Sequence, residues 1–263
     1  MTLAYASELT LEQYQLFESL LSPAHITGRP RTVNLMLVMQ AILYVLVSGC
    51  AWRLLPKAYP PYSTVYYYFR KWRDDGSWQR IPDHLVQWVR VGENRDPSPS
   101  AASLDSQSVP SAVMVDEQVG YDAAKKIKGR KRFTLVDTLG LLIAVRVVAA
   151  NTPEPEGAKQ LFNQLHPERV RVPRLVRIWV DAGFAGEEFL HWVIDTFRWI
   201  LEVVSRAQGT QGWVLLPKRW TVERTYGWLH WCRRLNVDYE RLPASSEAFI
   251  YIAMIRLMLR RLT

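Results

Sequence analysis

The sequence VRIWVDAGFAG at residues 176–186 is the clearest guide to the architecture of this chain. Apolar residues dominate 175–181, which predicts a strand buried in a sheet, and the Ala-Gly pair that follows ends the strand. Asp181 is therefore placed at the carboxyl end of a sheet strand, where α/β proteins commonly build functional sites.

Further strands and helices are predicted on both sides of this strand. The strands are predicted at residues 103–109, 133–136, 141–148 and 200–204. The helices are predicted at residues 155–165, 187–195, 221–235 and 245–262. The second and third strands in this series form a hairpin across the turn DTLG. The order predicts an α/β fold, with a mixed sheet and helices on its faces.

The first third of the chain is predicted to be helical and separate from the sheet. The segment GENRDPSPSAAS at 92–103 lacks apolar periodicity and is rich in Pro, Ser and charge, which predicts a linker at 96–103. We therefore expect residues 1 to about 95 to fold alone as a helical unit, and 104–263 to form a second domain. Helices in the first unit are predicted at 11–21, 33–48 and 64–75, with N-caps at Thr10, Thr32 and Ser63.

The helix at 64–75 has two different faces. Its predicted inward face, at helical spacing, consists of Val65, Tyr68, Phe69 and Trp72. Its predicted outward face is aromatic and basic and includes Arg70, Lys71 and Arg73. Such a face suits contact with a polyanion.

The overall charge points the same way. The formal net charge is +8, and hydrophobic residues make up 49% of the chain, which is typical of a folded protein. A basic folded protein favours a polyanionic partner over an acidic one. No GxxxxGK loop occurs, so we expect no nucleotide cofactor.

Cysteine usage and hydropathy predict a cytoplasmic protein that does not bind a membrane. Cys50 and Cys232 are too few for a disulfide framework and lack the spacing of a zinc site. The first basic residue is Arg29, so a charged signal-peptide start is not expected. The longest apolar stretch, 35–47, has 13 residues, whereas a spanning helix needs about 20.

A basic segment, KKIKGRKR at 125–132, precedes the predicted hairpin. It has six positive residues in eight: Lys125, Lys126, Lys128, Arg130, Lys131 and Arg132. Such a cluster suits phosphate contacts, and the alternative is an ordinary solvated loop.

Three carboxylates form a candidate metal site. Asp105 lies within a predicted strand, Asp181 ends another, and Glu223 lies near the start of a helix. Converging carboxylates can hold Mg²⁺, a hard cation suited to phosphodiester chemistry. Each has an alternative as a turn residue, an N-cap or a first-turn Glu. Asp122, before the basic segment, and Asp137, in the hairpin turn, are interpreted as structural.

Several motifs resemble the DDE-type transposases of bacterial insertion sequences, in the branch of insertion sequences four and five. In the second part of the chain they are GYDAAKKIKGRKRFTLVDTLGLL at 120–142, WVDAGFAG at 179–186, LPKRWTVERTYGWLHWCRRL at 216–235, DYERLP at 238–243 and AMIRLMLRRL at 253–262. In the first part they are GRPR at 28–31, AILYVLVSGCAWRLLP at 41–56 and PPYSTVYYYFRKW at 60–72.

The resemblance implies a ribonuclease-H-like catalytic core preceded by a helical, helix-turn-helix-like DNA-binding region. It assigns Asp105, Asp181 and Glu223 as catalytic ligands of Mg²⁺, with Mn²⁺ as a substitute. It also implies double-stranded DNA as the partner, both transposon ends and target, bound by a homo-oligomer associated with the bacterial nucleoid. The basic residues near the Glu that would contact this DNA are Arg219, Arg224, Arg233 and Arg234.

The family's motif around its Glu contains a Tyr, an Arg and a Lys at fixed spacing. Arg219 matches the Arg, whereas Leu216 stands at the Tyr position and His230 at the Lys position. The implied activity is cleavage of DNA and transfer of its 3′ ends. The alternatives are a nuclease or resolvase of the same core without strand transfer, and a degenerate or domesticated transposase that only binds DNA.

Overall fold

The computed structural model describes residues 5–21, 31–165, 172–204 and 217–263, apart from the side chain of Pro217. Leu216 and residues 28–30 of the GRPR motif lie outside the described residues. In the described parts the helices are α1 Leu11–Gln15, α2 Leu35–Ser48, α3 Tyr62–Asp74, α4 Ser77–Gly92, α5 Glu154–Leu165, α6 Glu187–Phe197, α7 Pro217–His230 and α8 Pro243–Leu262. The strands are β1 Ala101–Pro110, β2 Gly120–Asp122, β3 Ile127–Asp137, β4 Leu142–Ala149, β5 Arg177–Val180 and β6 Ile200–Val203.

The strands form one mixed sheet around β1. Strand β3 is antiparallel to β1 and to β4, and the short β2 pairs with the beginning of β3. On the other side of β1, strands β5 and β6 continue the sheet in parallel. The predicted hairpin is therefore confirmed as β3–β4, and the α/β class with a mixed sheet is confirmed as well.

Helices cover both faces of the sheet and enclose two hydrophobic cores. On one face, Val136 and Val147 of the sheet pack with side chains from α2, α3, α4, α7 and α8. On the other face, Phe133 and Leu135 pack with α5 and α6. The alternation of neighbouring β3 residues between the two cores follows the pleat of a strand.

The N-terminal helices share their core with the C-terminal helix α8. The ring of Phe69 on α3 stacks on that of Phe249 on α8, with 4.8 Å between ring centroids. Trp72 and Leu85 belong to the same core as Ile252 and Met254. Because residues 1–95 alone would leave these side chains in water, the packing argues against the independent folding that we expected from the sequence.

The predicted inward face of α3 is confirmed, because Val65, Phe69 and Trp72 are fully buried and Tyr68 is nearly so. The helix starts already at Tyr62, so Ser63 does not cap it. For α2, the cap is Asn34 rather than Thr32, because the Asn34 side chain accepts hydrogen bonds from the amides of Met36 and Leu37. None of the helices in the described parts is long and apolar enough to cross a bilayer.

A buried ion pair joins the N-terminal helices to the hairpin. Arg90 of α4 donates a hydrogen bond to Asp137, and both side chains are almost completely buried. Asp137 Oδ1 also accepts from the amides of Leu139 and Leu141 at 2.9 and 2.8 Å. Asp137 therefore has the predicted turn role. It also pairs with Arg90 of α4, which the sequence did not indicate.

We predict that Asp137→Asn lowers the free energy of unfolding by roughly 3–5 kcal/mol, because it leaves the Arg90 charge buried without its partner. Urea unfolding monitored by tryptophan fluorescence measures this change. The control is Asp195→Asn at an exposed position of α6, which should change stability by less than about 0.5 kcal/mol. Equal stability of both variants would contradict the role given to this pair.

Candidate active site

The register between β1 and β5 places two of the predicted carboxylates side by side. Ala101, Ala102 and Ser103 of β1 pair in parallel with Arg177, Ile178 and Trp179 of β5. Asp105 and Asp181 each lie two residues beyond the last of these pairs. Adjacent strands are about 4.8 Å apart, so the two carboxylates start from neighbouring backbone positions on the same face of the sheet.

Helix α7 crosses the same face and carries the third carboxylate. The hydroxyl of Ser103 donates to the carbonyl of Lys218 at 2.6 Å, near the start of the helix. Gln107 Nε2 lies 3.1 Å from His230 Nε2, at the end of the helix. Since Ser103, Asp105 and Gln107 alternate along one face of β1, α7 runs over Asp105, and Glu223 lies midway along this stretch.

Arg219 connects the second and third carboxylates. Its Nη2 atom lies 3.7 Å from Asp181 Oδ2 and 3.8 Å from Glu223 Oε1. All three side chains are partly exposed to solvent. The guanidinium therefore neutralises a site that would otherwise concentrate negative charge.

Backbone amides orient the two aspartates. The amide of Ser106 donates to Asp105 Oδ1 at 2.8 Å, and that of Gly183 donates to Asp181 Oδ1 at 2.9 Å. Burial, with a contribution from the charge of Asp181, raises the pKa of Asp105 to about 6. The charged form of Asp105 is thus costly in this environment, and a cation close to it would stabilise that form.

The donor set suits a hard divalent cation. Asp105, Asp181 and Glu223 offer only oxygen atoms, the ligands that Mg²⁺ prefers. In the described parts of the chain, no three His, Cys, Asp or Glu side chains lie close enough together to hold a metal ion as they stand. The three carboxylates share one face of the sheet, with the Arg219 guanidinium between two of them.

Asp122 lies elsewhere and has its own partners. Its Oδ2 atom accepts from Ser108 Oγ at 2.5 Å and its Oδ1 atom from the amide of Lys125 at 3.0 Å. The hydrogen bond from Ser108 is the main reason that the pKa of Asp122 is lowered. These contacts fit the structural interpretation of Asp122.

The basic segment divides into an exposed half and a buried half. Lys125, Lys126 and Lys128 are exposed, whereas Arg130, Lys131 and Arg132 are buried. The buried half belongs to β3 and pairs with β1 along its whole length. The strand therefore forms despite the charge of these three side chains. Only the exposed half can meet phosphates on the surface, so the expectation for the buried three is corrected.

Arg130 shows how such a charge is accommodated inside the protein. Its guanidinium donates to the carbonyls of Glu117, Glu240 and Arg241 at 2.6–3.2 Å and lies 3.3 Å from Asp238 Oδ2. Nζ of the neighbouring Lys131 lies 3.2 Å from Glu154 Oε2. Both side chains therefore serve the fold around the site.

The arginines that follow Glu223 also differ in their exposure to solvent. Arg234 is buried and pairs with Glu240 at 2.6 Å, so it is not available to DNA. Arg224 is partly buried, donates to the carbonyl of Leu139 and lies over the ring of Trp228. Arg233 is exposed.

On α3, Arg70 is exposed and Lys71 is partly exposed. Arg73 is mostly buried: its guanidinium contacts Asp74 at 2.7 Å and Ser245 at 2.8 Å. Arg73 therefore stabilises the contact between α3 and α8, and the expectation that it contacts DNA is corrected.

Sequence reasoning missed Glu154 and Gln107 and did not predict the partners of His230. Glu154 accepts a hydrogen bond from Ser106, the neighbour of Asp105 in sequence. His230 is held between Gln107 and Asn236, at the position where the resemblance implies a lysine. The alternation of β1 could have indicated Gln107, which shares a face with Asp105, whereas Glu154 lies just before the helix predicted at residues 155–165 and had no sequence signal.

Comparison with known proteins identifies the class of this fold and site. Residues 96–258 match the family model described as "Transposase DDE domain". The chain therefore belongs to the DDE transposase family, whose catalytic core is ribonuclease-H-like and uses divalent metal ions. Residues 9–82 match a second model, described as "Putative transposase of IS4/5 family". Together the two matches place the chain among the insertion-sequence transposases of that branch.

A curated relative agrees with this assignment. The "Putative transposase for insertion sequence element IS402" of Burkholderia cepacia is 30% identical over 128 residues, which is 46% of this chain and 59% of that protein. The matched region thus spans little more than half of the relative. No solved structure matches the chain.

We predict that Arg219→Gln makes Mn²⁺ bind more tightly to the DNA-free protein, by about tenfold, because a cation that competes for Asp181 and Glu223 is removed. Isothermal titration calorimetry with Mn²⁺ measures the affinity. The control is Arg177→Gln on β5, an exposed arginine that pairs with Glu202 instead. Unchanged or weaker binding in Arg219→Gln would show that this guanidinium does not compete with metal.

Proposed function

We propose that this chain is a transposase that binds the inverted repeats at transposon ends, cleaves the DNA and transfers its 3′ ends into target DNA. The observation that carries the proposal is the alignment of Asp105 with Asp181 on parallel strands beneath the helix that carries Glu223. Three carboxylates on rigid elements of one face suit a two-metal phosphodiester site. Family membership supports DNA as the substrate.

In this proposal Asp105, Asp181 and Glu223 hold Mg²⁺, or Mn²⁺ in its place. When bound, two such ions activate the attacking oxygen and stabilise the leaving oxygen of an in-line displacement. The amides of Ser106 and Gly183 keep the two aspartates oriented, because each donates to one carboxylate oxygen. Arg219, once released from the carboxylates, is placed to contact a DNA phosphate.

DNA approaches along the exposed basic residues near the triad. Lys125 Nζ lies 3.4 Å from the carbonyl of Ser106, directly beside Asp105, and Lys126 and Lys128 follow it on the surface. At the N-terminal end, α3 and α4 are separated only by Asp75 and Gly76. We propose this helix pair as the helix-turn-helix-like element, with Arg70 and Lys71 at its DNA contact, in a homo-oligomer assembled on the two ends.

We predict that Asp105→Asn, Asp181→Asn and Glu223→Gln each abolish cleavage and strand transfer but preserve DNA binding. Loss of a metal ligand removes several kcal/mol of transition-state stabilisation, which is about a thousandfold or more in rate. A strand-transfer assay with labelled transposon ends in Mg²⁺ measures both steps, and a gel-shift titration measures binding.

The matched control is Asp122→Asn. It should keep most of the activity, because the Asn side chain can still form hydrogen bonds with the Ser108 hydroxyl and the Lys125 amide. A triad variant with near-wild-type cleavage would refute the assignment. Joined products from the wild-type chain support a transposase, whereas hydrolysis alone indicates a nuclease and binding alone a domesticated DNA-binding protein.

We predict that the double substitution of Lys125 and Lys128 by Gln lowers the slope of log affinity against log salt by about 2 units, roughly 0.9 for each phosphate that the protein no longer neutralises. Fluorescence anisotropy with a transposon-end duplex at several salt concentrations gives this slope. The control double substitution, Arg95→Gln with Arg198→Gln, changes net charge equally at exposed positions away from the basic segment. Equal salt slopes in the two variants would show that the basic segment is an ordinary solvated surface that does not contact phosphates.

A further inference from the structure

A hydrogen-bonded group of side chains lies behind Asp105, on the opposite face of β1. Ser106 Oγ donates to Glu154 Oε1 at 2.9 Å, and Lys131 Nζ donates to Glu154 Oε2 at 3.2 Å. Lys131 also donates to the carbonyl of Thr152 at 2.9 Å. Ser106 and Lys131 are buried, and three quarters of the Glu154 side chain is covered. Both carboxylate oxygens of Glu154 are therefore held in place.

Glu154 is connected through Ser106 to the first catalytic aspartate. The hydroxyl of Ser106 binds Glu154, and its backbone amide donates to Asp105 Oδ1 at 2.8 Å. Successive residues of a strand point to opposite faces, so one residue contacts both carboxylates. Fixing the Ser106 side chain from behind thereby fixes the amide that orients Asp105.

Glu154 is also packed against the turn that orients the second aspartate. The amide of Gly183 donates to Asp181 Oδ1 at 2.9 Å. A Cβ atom on Gly183 would lie 3.2 Å from Glu154 Cγ and 3.1 Å from Asp181 Oδ1, tighter than ordinary contact. Glu154 therefore lies close against the turn whose amide orients Asp181.

We propose that Glu154 is a positioning residue of the metal site, which sets the separation of Asp105 and Asp181 by holding both residues whose amides orient them. The inference rests on the proposed metal site and adds a fourth carboxylate that supports the ligands without being one. Glu154 is suited to this task because it is the first residue of α5, where the helix dipole favours a negative charge. Replacing a residue that supports metal ligands in this way typically lowers the metal affinity by about 10- to 100-fold.

The test compares Glu154→Ala and Glu154→Gln with Glu156→Gln, a matched control in the same turn of α5 whose side chain is exposed. Mn²⁺ affinity is measured by calorimetry on the full chain without DNA. Exchange of the Ser106 and Gly183 amides is measured by NMR on the metal-free protein. We expect Glu154→Ala to weaken Mn²⁺ binding by about 10- to 100-fold and to accelerate the hydrogen exchange of both amides. Glu154→Gln, which can still accept from Ser106, should recover much of this affinity, and Glu156→Gln should match the wild type.

The opposite results separate this inference from the proposed function. If Asp105→Asn loses Mn²⁺ binding while Glu154→Ala keeps both its affinity and its amide exchange, Glu154 is only a structural ion pair with Lys131. If Mn²⁺ binding is unchanged in Asp105→Asn as well, the proposed metal site itself is wrong and the inference is wrong with it. Should Glu154→Ala not fold, wild-type Mn²⁺ affinity and wild-type exchange of the residue-106 and Gly183 amides in Ser106→Ala would equally overturn the inference.

Discussion

Three parallel backbone pairings join the beginning of β1 to β5, from Ala101 opposite Arg177 to Ser103 opposite Trp179. This register places Asp105 and Asp181 at corresponding positions on neighbouring strands. A shift of one residue would turn one of the two carboxylates to the other face of the sheet, because side chains alternate along a strand. Helix α7 depends on the same alternation, since Ser103 and Gln107 contact its two ends on either side of Asp105.

The charges of this protein serve the fold as well as its surface. Arg90, Arg130 and Arg234 are buried and paired. Through Asp137, Asp238 and the carbonyl of Cys50, respectively, they connect segments that are distant in sequence. Burying such charges is costly unless their hydrogen bonds are satisfied, which explains the carbonyl oxygens gathered around Arg130. Because each of these pairs is neutral, the net charge of +8 is carried by the remaining residues, which include the exposed Lys125, Lys126 and Lys128.

Local patterns in the sequence were sufficient for the elements that carry the proposed triad. The apolar run before Asp181 predicted β5 in a sheet, and the spacing of Val65, Phe69 and Trp72 predicted the buried face of α3 correctly. These features depend on residues close together in the chain, which is where periodicity is informative.

Features that depend on distant residues could not be predicted in this way. The core that residues 1–95 share with α8 was not predicted, because α8 comes from the other end of the chain. Arg130 was expected at the surface, but its partners near residues 117 and 240 hold it inside. Glu154 was missed because its hydrogen bond with Ser106 spans 48 positions. The family resemblance assigned the three carboxylates, and the register of β1 with β5 brings two of them, Asp105 and Asp181, to corresponding positions.

The most direct test of the proposed metal site is anomalous diffraction from crystals of the protein with a transposon-end duplex and Mn²⁺. We expect an anomalous peak in contact with the carboxylates of both Asp105 and Asp181, with Glu223 facing the same site and Arg219 moved away from it. A manganese ion bound elsewhere, for example at Asp122, with Asp105 and Asp181 free of metal, would contradict the proposed site.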